Sequence, residues 1–266
     1  MVEGALIAKM SNVRIACEGL SKSYYDLAEG REIVALTNLD LEIHDGEFVT
    51  VLGPSGCGKS TLLNIAAGFE KPSAGTILLD GKPIGAPGPD RGVVFQEYAL
   101  FPWLTVEQNV LYGLREQRVP SAEARERVRH WLDLVRLTGS EKRYPHELSG
   151  GMRQRVALIR VLANDPKSLL MDEPFAALDA QSRSLLQKEL ESLWLKASKT
   201  VLFVTHSIEE AIFLADRVVV MTARPGRIKT EIMIDMPRPR DPTSDQFNAY
   251  RREATQLIEA EVAAAS

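Results

Sequence analysis

The stretch that decides the fold reads Gly53-Pro54-Ser55-Gly56-Cys57-Gly58-Lys59-Ser60-Thr61. It fits the pattern G-x-x-x-x-G-K-[ST] without a mismatch. A short, largely β-branched run at residues 47–52 precedes it, and apolar residues at helical spacing follow it as far as Gly68. A strand, a glycine-rich loop and a helix in this order are the context in which the pattern binds phosphate. The sequence therefore predicts an α/β fold built around a parallel sheet.

The residues of this loop suit the phosphates of ATP. Backbone N–H groups can surround a phosphate closely only where no Cβ intervenes, which explains Gly53, Gly56 and Gly58. A helix that begins near Lys59 adds the positive end of its dipole. We expect the Lys59 ammonium to contact the β- and γ-phosphates and the Ser60 hydroxyl to contact Mg²⁺.

A second motif places two carboxylates at the end of an apolar strand. The strand is predicted at residues 168–171, and Asp172 and Glu173 follow it directly. Ligands bind at the carboxyl edge of a parallel sheet, so this is the edge where the acidic pair is expected. Asp172 would hold Mg²⁺, directly or through water, and Glu173 would orient and deprotonate the attacking water.

The remaining pattern alternates strands and helices. Val128, Trp131, Leu132 and Val135 share one helical face and are predicted to be core residues. Further strands are predicted at residues 12–18, 33–43, 76–79, 92–95, 200–205, 217–221 and 229–234, and further helices at residues 121–137, after Leu148, around residues 186–193 and from Ile208. A proline-rich break at residues 237–242 precedes a short tail that is expected to be helical from Gln246.

Composition narrows the class of protein. The chain has 266 residues, is 45% hydrophobic and carries a formal net charge of −4, which argues against a nucleic-acid partner. Cys17 and Cys57 are the only cysteines and lack metal-ligand spacing, as in a reduced compartment. No apolar run reaches the ~18 residues of a membrane-spanning helix, and the N-terminus lacks the plan of a signal peptide. The sequence therefore predicts a soluble chain whose membrane role, if any, comes through a partner.

Five shorter motifs stand in a fixed order around the first two, and the chain from about residue 13 to residue 236 resembles the ATP-binding cassette ATPases. Tyr24 matches the aromatic residue that stacks on adenine, although Tyr25 is an adjacent rival. Gln96 matches the Q-loop glutamine, and His206, after an apolar strand, matches the switch histidine that contacts the γ-phosphate. Residues 148–155 match the signature sequence, and Ala177-Leu178-Asp179 matches the D-loop.

The resemblance implies a fold and a set of site residues. The fold is a P-loop NTPase cassette with a RecA-like parallel-sheet core, an antiparallel β edge and a helical subdomain at about residues 97–164. The cassette spans residues 12–242, and residues 243–266 form a C-terminal tail. The implied catalytic residues are Glu173, His206, Lys59 and Gln96, and the implied Mg²⁺ ligands are Ser60, Gln96 and Asp172. The implied ATP-binding residues are Tyr24, the loop Gly53, Pro54, Ser55, Gly56, Cys57, Gly58, Lys59, Ser60 and Thr61, the signature residues Ser149, Gly150 and Gly151, and Asp179.

The signature implies that two copies meet. In the resembling family, Ser149, Gly150 and Gly151 begin a helix and bind the γ-phosphate of ATP held by the other subunit. The implied assembly is a head-to-tail homodimer that encloses two ATP molecules. Met152 and Ala176 depart from the family's frequent glutamine and serine, but neither change removes a phosphate ligand.

Two segments, residues 101–106 and 221–228, resemble the ATPase subunits of bacterial nitrate, sulfonate and taurine importers. That likeness implies ATP-driven uptake of a small anion, two integral-membrane permease subunits, indirectly a solute-binding protein, and a peripheral position on the cytoplasmic face of the inner membrane. The apolar cluster Tyr98, Leu100, Phe101 and Trp103 would border the groove that receives a permease coupling helix. Burial of this cluster against the helical lobe is the alternative.

Three other functions remain open from the sequence. One is a soluble cassette ATPase of DNA repair or translation, but the coiled-coil insertion, duplicated cassette or basic surface usual there is missing from the sequence. Another is an importer of a different small solute. The third is a nucleotide-binding module without turnover, against which Lys59, Asp172, Glu173 and His206 argue.

Overall fold

The computed structural model describes residues 12–27, 30–176, 178–197 and 199–265. Its elements follow in the order β1 Val13–Asp26, β2 Arg31–His44, β3 Phe48–Leu52, α1 Lys59–Ala67, β4 Ala74–Leu79, β5 Lys82–Pro83, β6 Arg91–Val94, α2 Val106–Glu116, α3 Ser121–Leu134, a short 3-10 helix Pro145–Glu147, α4 Gly150–Leu162, β7 Ser168–Asp172, α5 Ala180–Ala197, β8 Thr200–Thr205, α6 Ile208–Leu214, β9 Arg217–Met221, β10 Ile228–Met233 and α7 Asp245–Ala265. These elements belong to two compact units. The first unit lies within Met1–Gly88 and Lys199–Ser266, and the second is Pro89–Ser198.

An antiparallel sheet forms one part of the first unit, with strand order β2-β1-β4-β5. Cys17 of β1 pairs with Leu41 on one side and with Ile77 on the other, and all three are buried. β1 is several residues longer than predicted and pairs with β2 as far as Asp26. The predicted antiparallel β edge is confirmed.

The other strands of the first unit lie in the order β10-β9-β3-β8, and β10 pairs with β9 in antiparallel fashion. β3 pairs in parallel with both β8 and β9, and every residue of these three strands is buried. Helix α1 packs against β8, and helix α6 packs against β3. Strands that are covered on both faces have no solvent-facing positions, which explains their continuous apolar sequences. The predicted α/β class is confirmed.

The second unit contains the parallel pair β6 and β7 and three packed helices. Helix α2 packs against α3 and α4, with Val110 and Leu114 buried. Helix α2 was not among the predicted helices, although Thr105 and Gln108 form a capping box at its start, which is a sequence signal for a helix. On α3, Val128 and Leu132 are buried as predicted, whereas Trp131 is only half-buried.

The C-terminal tail is a long helix rather than a short one. Helix α7 has 21 residues and packs against α6 and β9 of the first unit. Phe247 and Ala254 are its fully buried residues, so the helix is anchored through its first half. The boundary between a cassette at residues 12–242 and a tail at 243–266 stays a prediction. None of the helices in the described ranges is both long enough and apolar enough to cross a membrane.

Candidate functional site

The predicted phosphate loop follows β3 directly and precedes α1. Gly58 is the N-cap residue of α1 and has a φ of 99°, a left-handed conformation that favours glycine. A Cβ at Gly58 would lie 2.6 Å from Leu36 Cδ2 and 2.9 Å from the Ala35 carbonyl oxygen. Both neighbours belong to β2, so a side chain at this position would force the loop away from that strand.

Lys59 lies inside the loop and not on its surface. The residue is only 6% exposed, and its Nζ donates hydrogen bonds to the carbonyl oxygens of Gly53, at 2.8 Å, and Pro54, at 3.0 Å. Two loop carbonyls thus hold the buried ammonium within the predicted phosphate loop. Ser55, Gly56 and Ser60 are exposed, so the outer part of the loop is accessible.

Cys57 is buried beneath the loop. Its Sγ lies 3.9 Å from Lys59 Nζ. Burial raises the pKa of the Cys57 thiol, and the charge and hydrogen bonds of Lys59 oppose that change without reversing it. The thiol is therefore mainly protonated at neutral pH, despite the neighbouring ammonium.

Tyr24 lies beside the helix that follows the loop. Its hydroxyl donates to Glu70 Oε2 at 2.6 Å and lies 3.3 Å from Thr61 Oγ1. The ring is partly exposed, and Lys22 Nζ lies 5.0 Å from its centroid. The hydroxyl of Tyr25 instead donates to the carbonyl of Gly30. Of the two rival tyrosines, Tyr24 is therefore the one whose hydroxyl is near Thr61 of the phosphate-loop motif.

His206 completes the predicted site residues of the first unit. It follows β8 directly, is exposed, and precedes Ser207, the N-cap residue of α6. The Ser207 hydroxyl accepts a hydrogen bond from the backbone N–H of Glu210 at 3.3 Å. Since β8 is parallel to β3, His206 and the phosphate loop leave the sheet at the same carboxyl edge.

Asp172 and Glu173 lie in the second unit at the end of β7. Both side chains are half-buried. Glu173 has a φ of 43°, in the left-handed region that glutamate seldom adopts. Its carbonyl oxygen accepts a hydrogen bond from Ala176 N at 3.1 Å, which closes a turn immediately after the strand. Because of this strained backbone, the Glu173 side chain leaves the chain in a different direction from the one it would have in a continued strand.

The signature residues begin a helix, as predicted from the sequence. Ser149 is the N-cap residue of α4, and its Oγ accepts a hydrogen bond from Met152 N at 3.3 Å. Gly150 and Gly151 form the first turn, whose backbone N–H groups have no acceptors within the helix. The start of α4 is therefore suited to bind an anion.

Tyr98 contacts the same helix, a contact that was not predicted from the sequence. Its hydroxyl would lie 3.3 Å from a Cβ at Gly150, and the guanidinium of Arg153 lies 5.3 Å from its ring centroid. Residues 98 and 150 are far apart in sequence, so periodicity carries no signal for the contact. Tyr98 thus links the segment after Gln96 to the signature helix.

Asp179 has a structural role that the sequence analysis did not assign. Its Oδ1 accepts a hydrogen bond from Ser182 N at 3.0 Å at the start of α5, which is the geometry of an N-cap. This hydrogen bond lowers the pKa of the Asp179 carboxyl. A D-loop role for Asp179 stays a prediction, and Ala177 of the same motif lies outside the described residues.

Gln96 is exposed two residues after β6, and an apolar groove of about 460 Å³ lies next to the segment that follows it. Phe101, Tyr112 and Arg160 line this groove, and Trp103, beside it in sequence, is 70% exposed. The Phe101 ring centroid lies 4.7 Å from that of Tyr112 and 5.6 Å from that of Trp103. The cluster that the sequence analysis found is therefore only partly buried.

A buried asparagine that the sequence analysis missed holds this segment. Asn109 in α2 is fully buried, and its Oδ1 accepts from Phe101 N at 2.9 Å. Its Nδ2 donates to the carbonyls of Phe101, Leu104 and Thr105, at 3.0–3.2 Å. One amide thus restrains residues 101–105, which fixes the backbone from which Trp103 projects.

The predicted Mg²⁺ ligands fit a hard cation by their chemistry. Ser60, Gln96 and Asp172 offer hydroxyl, amide and carboxylate oxygens, the donors that Mg²⁺ prefers. In the part of the chain that the structure describes, no group of three or more His, Cys, Asp or Glu could hold a metal by itself. Mg²⁺ that binds together with a nucleotide usually takes several of its ligands from phosphates and water.

Comparisons with known proteins agree with this geometry. Residues 36–176 match the model of the ABC transporter family. The chain is 53% identical over 250 residues to an uncharacterized ABC transporter ATP-binding protein of Methanocaldococcus jannaschii, covering 94% of this chain and 93% of that one. It is 46% identical over 245 residues to the aliphatic sulfonates import ATP-binding protein SsuB of Bacillus cereus, covering 92% and 96%.

Solved structures show the same fold. An ATP-binding cassette that forms a dimer in a post-hydrolysis state with ADP and Pi superposes with a TM-score of 0.73 at 33% identity, covering 84% of this chain and all of that one. CbiO1 of Clostridium perfringens, part of the ABC transporter complex cbiONQ, gives a TM-score of 0.74 at 30% identity, covering 92% and 93%. These neighbours confirm the predicted cassette fold. The chain belongs to the ABC transporter family, as one of its ATP-hydrolysing cassettes.

Proposed function

We propose that this cassette drives an importer of a small anion such as a sulfonate, taurine or nitrate. The observation that supports this most is its 46% identity, over 92% of the chain, to a protein named for aliphatic sulfonate import. The relative from Methanocaldococcus jannaschii is more similar and is uncharacterized. The comparisons therefore favour the class of importer and leave the solute to experiment.

The proposed reaction is hydrolysis of the γ-phosphate. Lys59 and the loop N–H groups bind the β- and γ-phosphates, and Tyr24 stacks on the adenine. Glu173 accepts a proton from the attacking water, whose oxygen bonds to the γ-phosphorus while the bond to the ADP oxygen breaks. His206 contacts the γ-phosphate, where negative charge redistributes during the reaction. Mg²⁺, when held by Ser60, Gln96 and Asp172, would neutralise part of the charge on the β- and γ-phosphates.

Two copies of the chain are proposed to enclose two ATP molecules. Ser149, Gly150 and Gly151 of one copy would bind the γ-phosphate of ATP held by the other copy, through the N–H groups at the start of α4. The dimer with ADP and Pi among the similar structures supports this arrangement. ATP then favours the closed dimer because it makes contacts there that it lacks in the open one, and hydrolysis removes them.

Membrane coupling is proposed to occur at the groove of the second unit. Phe101 and Tyr112 line it, Asn109 holds its border, and the exposed Trp103 lies beside it. Partly exposed aromatic residues on a restrained loop suit a docking surface better than a hydrophobic core. Its proposed occupant is a segment of a permease subunit. The two cassettes of the dimer would each bind one of the two permease subunits, which would hold them at the cytoplasmic face of the inner membrane. A solute-binding protein would take part only through the permeases.

The test is reconstitution of the complete transporter. The tagged cassette would be co-expressed with candidate permease subunits, purified in detergent and placed in liposomes with a candidate solute-binding protein. The proposal expects ATPase stimulation and uptake with an alkanesulfonate, taurine or nitrate, and little effect of a sugar or an amino acid without a sulfonate. Stimulation by nucleic acid in place of a permease, or uptake of a cation or sugar alone, would contradict it.

A further inference from the structure

A short turn between β9 and β10, residues 222–227, has no role in the proposed chemistry, yet it lies against the phosphate loop. The turn is closed by its own hydrogen bonds. Thr222 N donates to Arg227 O at 2.9 Å, Thr222 Oγ1 donates to Pro225 O at 3.0 Å, and Arg227 N donates to Thr222 Oγ1 at 3.0 Å. Three bonds across six residues make the 222–227 turn a well-defined surface for the loop.

The turn contacts two consecutive carbonyl groups of the phosphate loop. Arg224 Nε donates a hydrogen bond to Gly56 O at 3.3 Å. Gly226 packs so closely that a Cβ at this position would lie 1.9 Å from Cys57 O. Any side chain at residue 226 would therefore displace the loop or the turn. Both carbonyls thus face the 222–227 turn.

The direction of these carbonyls determines the direction of the next N–H groups. Cis peptide bonds in the described residues occur only before Pro225 and Pro239, so the peptides after Gly56 and Cys57 are trans. In a trans peptide the N–H points opposite to the C=O of the same plane. The N–H groups of Cys57 and Gly58 therefore point away from the turn. Cys57 N donates a hydrogen bond of 3.4 Å to Pro54 O within the loop.

Helix α7 and strand β2 hold the turn in place. Glu261 of α7 accepts a hydrogen bond from Ala223 N at 3.0 Å and forms a 2.7 Å ion pair with Lys229. On the other side, Gly226 N donates to Ala35 O at 2.9 Å, and Thr37 N donates to Gly226 O at 3.1 Å. The position of the turn thus depends on both its β2 contacts and a carboxylate near the end of the chain.

We propose that the 222–227 turn is a positioning element for nucleotide binding, in which Arg224 and Gly226 hold the Gly56 and Cys57 carbonyls and so keep the phosphate loop in the conformation that binds the phosphates. Glu261 of α7 acts one step further away by fixing Ala223. The phosphate loop is thereby arranged before the nucleotide binds, so binding does not have to order it. The inference rests on the assignment of residues 53–61 as the phosphate loop.

Arg224→Ala tests the first contact. We expect ATP and ADP affinities to fall by similar factors of about five to ten, the loss of one hydrogen bond from a charged donor. The KM for ATP should rise while kcat at saturating ATP stays within about twofold. Arg224→Lys should restore part of the affinity, and Arg227→Ala, which changes an exposed side chain in the same turn, should not alter it. A loss confined to ATP would overturn the proposal, because a γ-phosphate contact would explain it instead.

Glu261→Gln tests the link to helix α7. The amide keeps the size of the carboxylate but loses the charge that pairs with Lys229, so we expect a smaller loss of nucleotide affinity, about threefold. Glu259→Gln, an exposed change on the same helix, is the matched control. Unfolding without nucleotide is measured in parallel. If Glu261→Gln lowers the unfolding temperature and leaves nucleotide affinity unchanged, α7 has only a structural role and this link is wrong.

Gly226→Ala tests the close approach. We expect the largest effect, more than about tenfold weaker nucleotide binding, because the added Cβ cannot lie 1.9 Å from Cys57 O. Should this variant fail to fold, the Arg224 and Glu261 variants still decide the question. Lys59→Ala is measured in the same assay. If it loses binding while Arg224→Ala and Gly226→Ala retain wild-type affinity, only the positioning role fails; if it too binds normally, the phosphate-loop assignment fails.

Discussion

The hydroxyl of Thr205 donates a hydrogen bond of 2.7 Å to the carboxylate of Glu210, and both side chains are buried. Thr205 ends β8 and Glu210 lies in the first turn of α6, so this bond spans the turn that carries His206. The same hydroxyl accepts a hydrogen bond from Ser207 N at 3.0 Å. The backbone on each side of His206 is therefore anchored to one threonine side chain.

Thr205→Val is expected to lower kcat for ATP hydrolysis about three- to tenfold with little change in KM, because the histidine would lose its orientation toward the reacting phosphate. Loss of the two hydrogen bonds should also reduce the free energy of unfolding by about 1–3 kcal/mol. Steady-state ATPase assays and urea unfolding measure the two effects. Thr50→Val is the matched control, since the buried Thr50 hydroxyl has no hydrogen-bond partner among the described residues. Wild-type kcat in Thr205→Val would contradict the orienting role.

Lys59→Ala is expected to weaken ATP binding by about a hundredfold or more. The ammonium is the buried cation of the loop, and a hydrogen bond to a charged partner contributes about 1.5–3 kcal/mol. Calorimetry or a fluorescent nucleotide measures the change. Lys82→Ala, which removes an exposed lysine from β5 of the same unit, should leave affinity unaltered. Equal affinities for Lys59→Ala and wild type would refute the phosphate role of this residue.

Glu173→Gln should retain ATP and accumulate a dimer. The amide preserves the shape of the side chain but accepts a proton from water far less readily, so the γ-phosphate contacts between the copies persist. Size-exclusion chromatography with light scattering would detect the dimer with ATP and a monomer with ADP. The matched control is Glu126→Gln on the exposed face of α3, which should hydrolyse ATP normally. A monomeric Glu173→Gln protein in saturating ATP would count against the two-copy site.

Trp103→Ala is expected to spare the ATPase of the isolated cassette and to reduce its recruitment by the permease. The indole is 70% exposed, so its loss removes apolar contact area from the proposed docking surface without leaving a cavity in a core. Co-purification with the permease and transport in liposomes give the readouts. Leu195→Ala, at an exposed leucine of α5, is the control. If the permease recruits Trp103→Ala normally, Trp103 does not take part in docking and only packs against its neighbours.

Thiol modification should depend steeply on pH. Burial raises the pKa of Cys17 to about 12 and, against the opposing effect of Lys59, also raises the pKa of Cys57. A raised pKa lowers the thiolate fraction at neutral pH, so iodoacetamide should react slowly with both at pH 7. Reaction at Cys57 should accelerate as pH rises through and beyond about 8.5, the usual thiol pKa.

Peptide mapping by mass spectrometry would follow the two cysteines separately. ATP should slow modification of Cys57 and leave the rate at Cys17 unchanged, since only Cys57 belongs to the phosphate loop. The denatured chain supplies the reference rate. If native Cys57 reacts at pH 7 as fast as it does in the denatured chain, the Cys57 thiol is not buried in solution.

Most elements were predictable because their signals are local. The phosphate loop, the capped start of α4 and the apolar strands β3, β8 and β9 each carry their pattern within a few consecutive residues. Helix α2 was missed because an aromatic-rich loop precedes it, and its capping box was the overlooked signal. The buried amide of Asn109 was also missed, since an asparagine in a polar helix pattern does not indicate burial.

By itself, the sequence determined the family and the order of most strands and helices along the chain, because these depend on contiguous motifs and short-range periodicity. The groups that contact phosphate stay a prediction from the same motifs. Only the tertiary structure decided that Arg224 reaches the carbonyl of Gly56, 168 residues away. The physical reason is strand order. β9 pairs in parallel with β3, so the turn after one strand and the loop after the other emerge at the same sheet edge. Hydrophobic patterns show that a strand is buried but not which strand lies beside it.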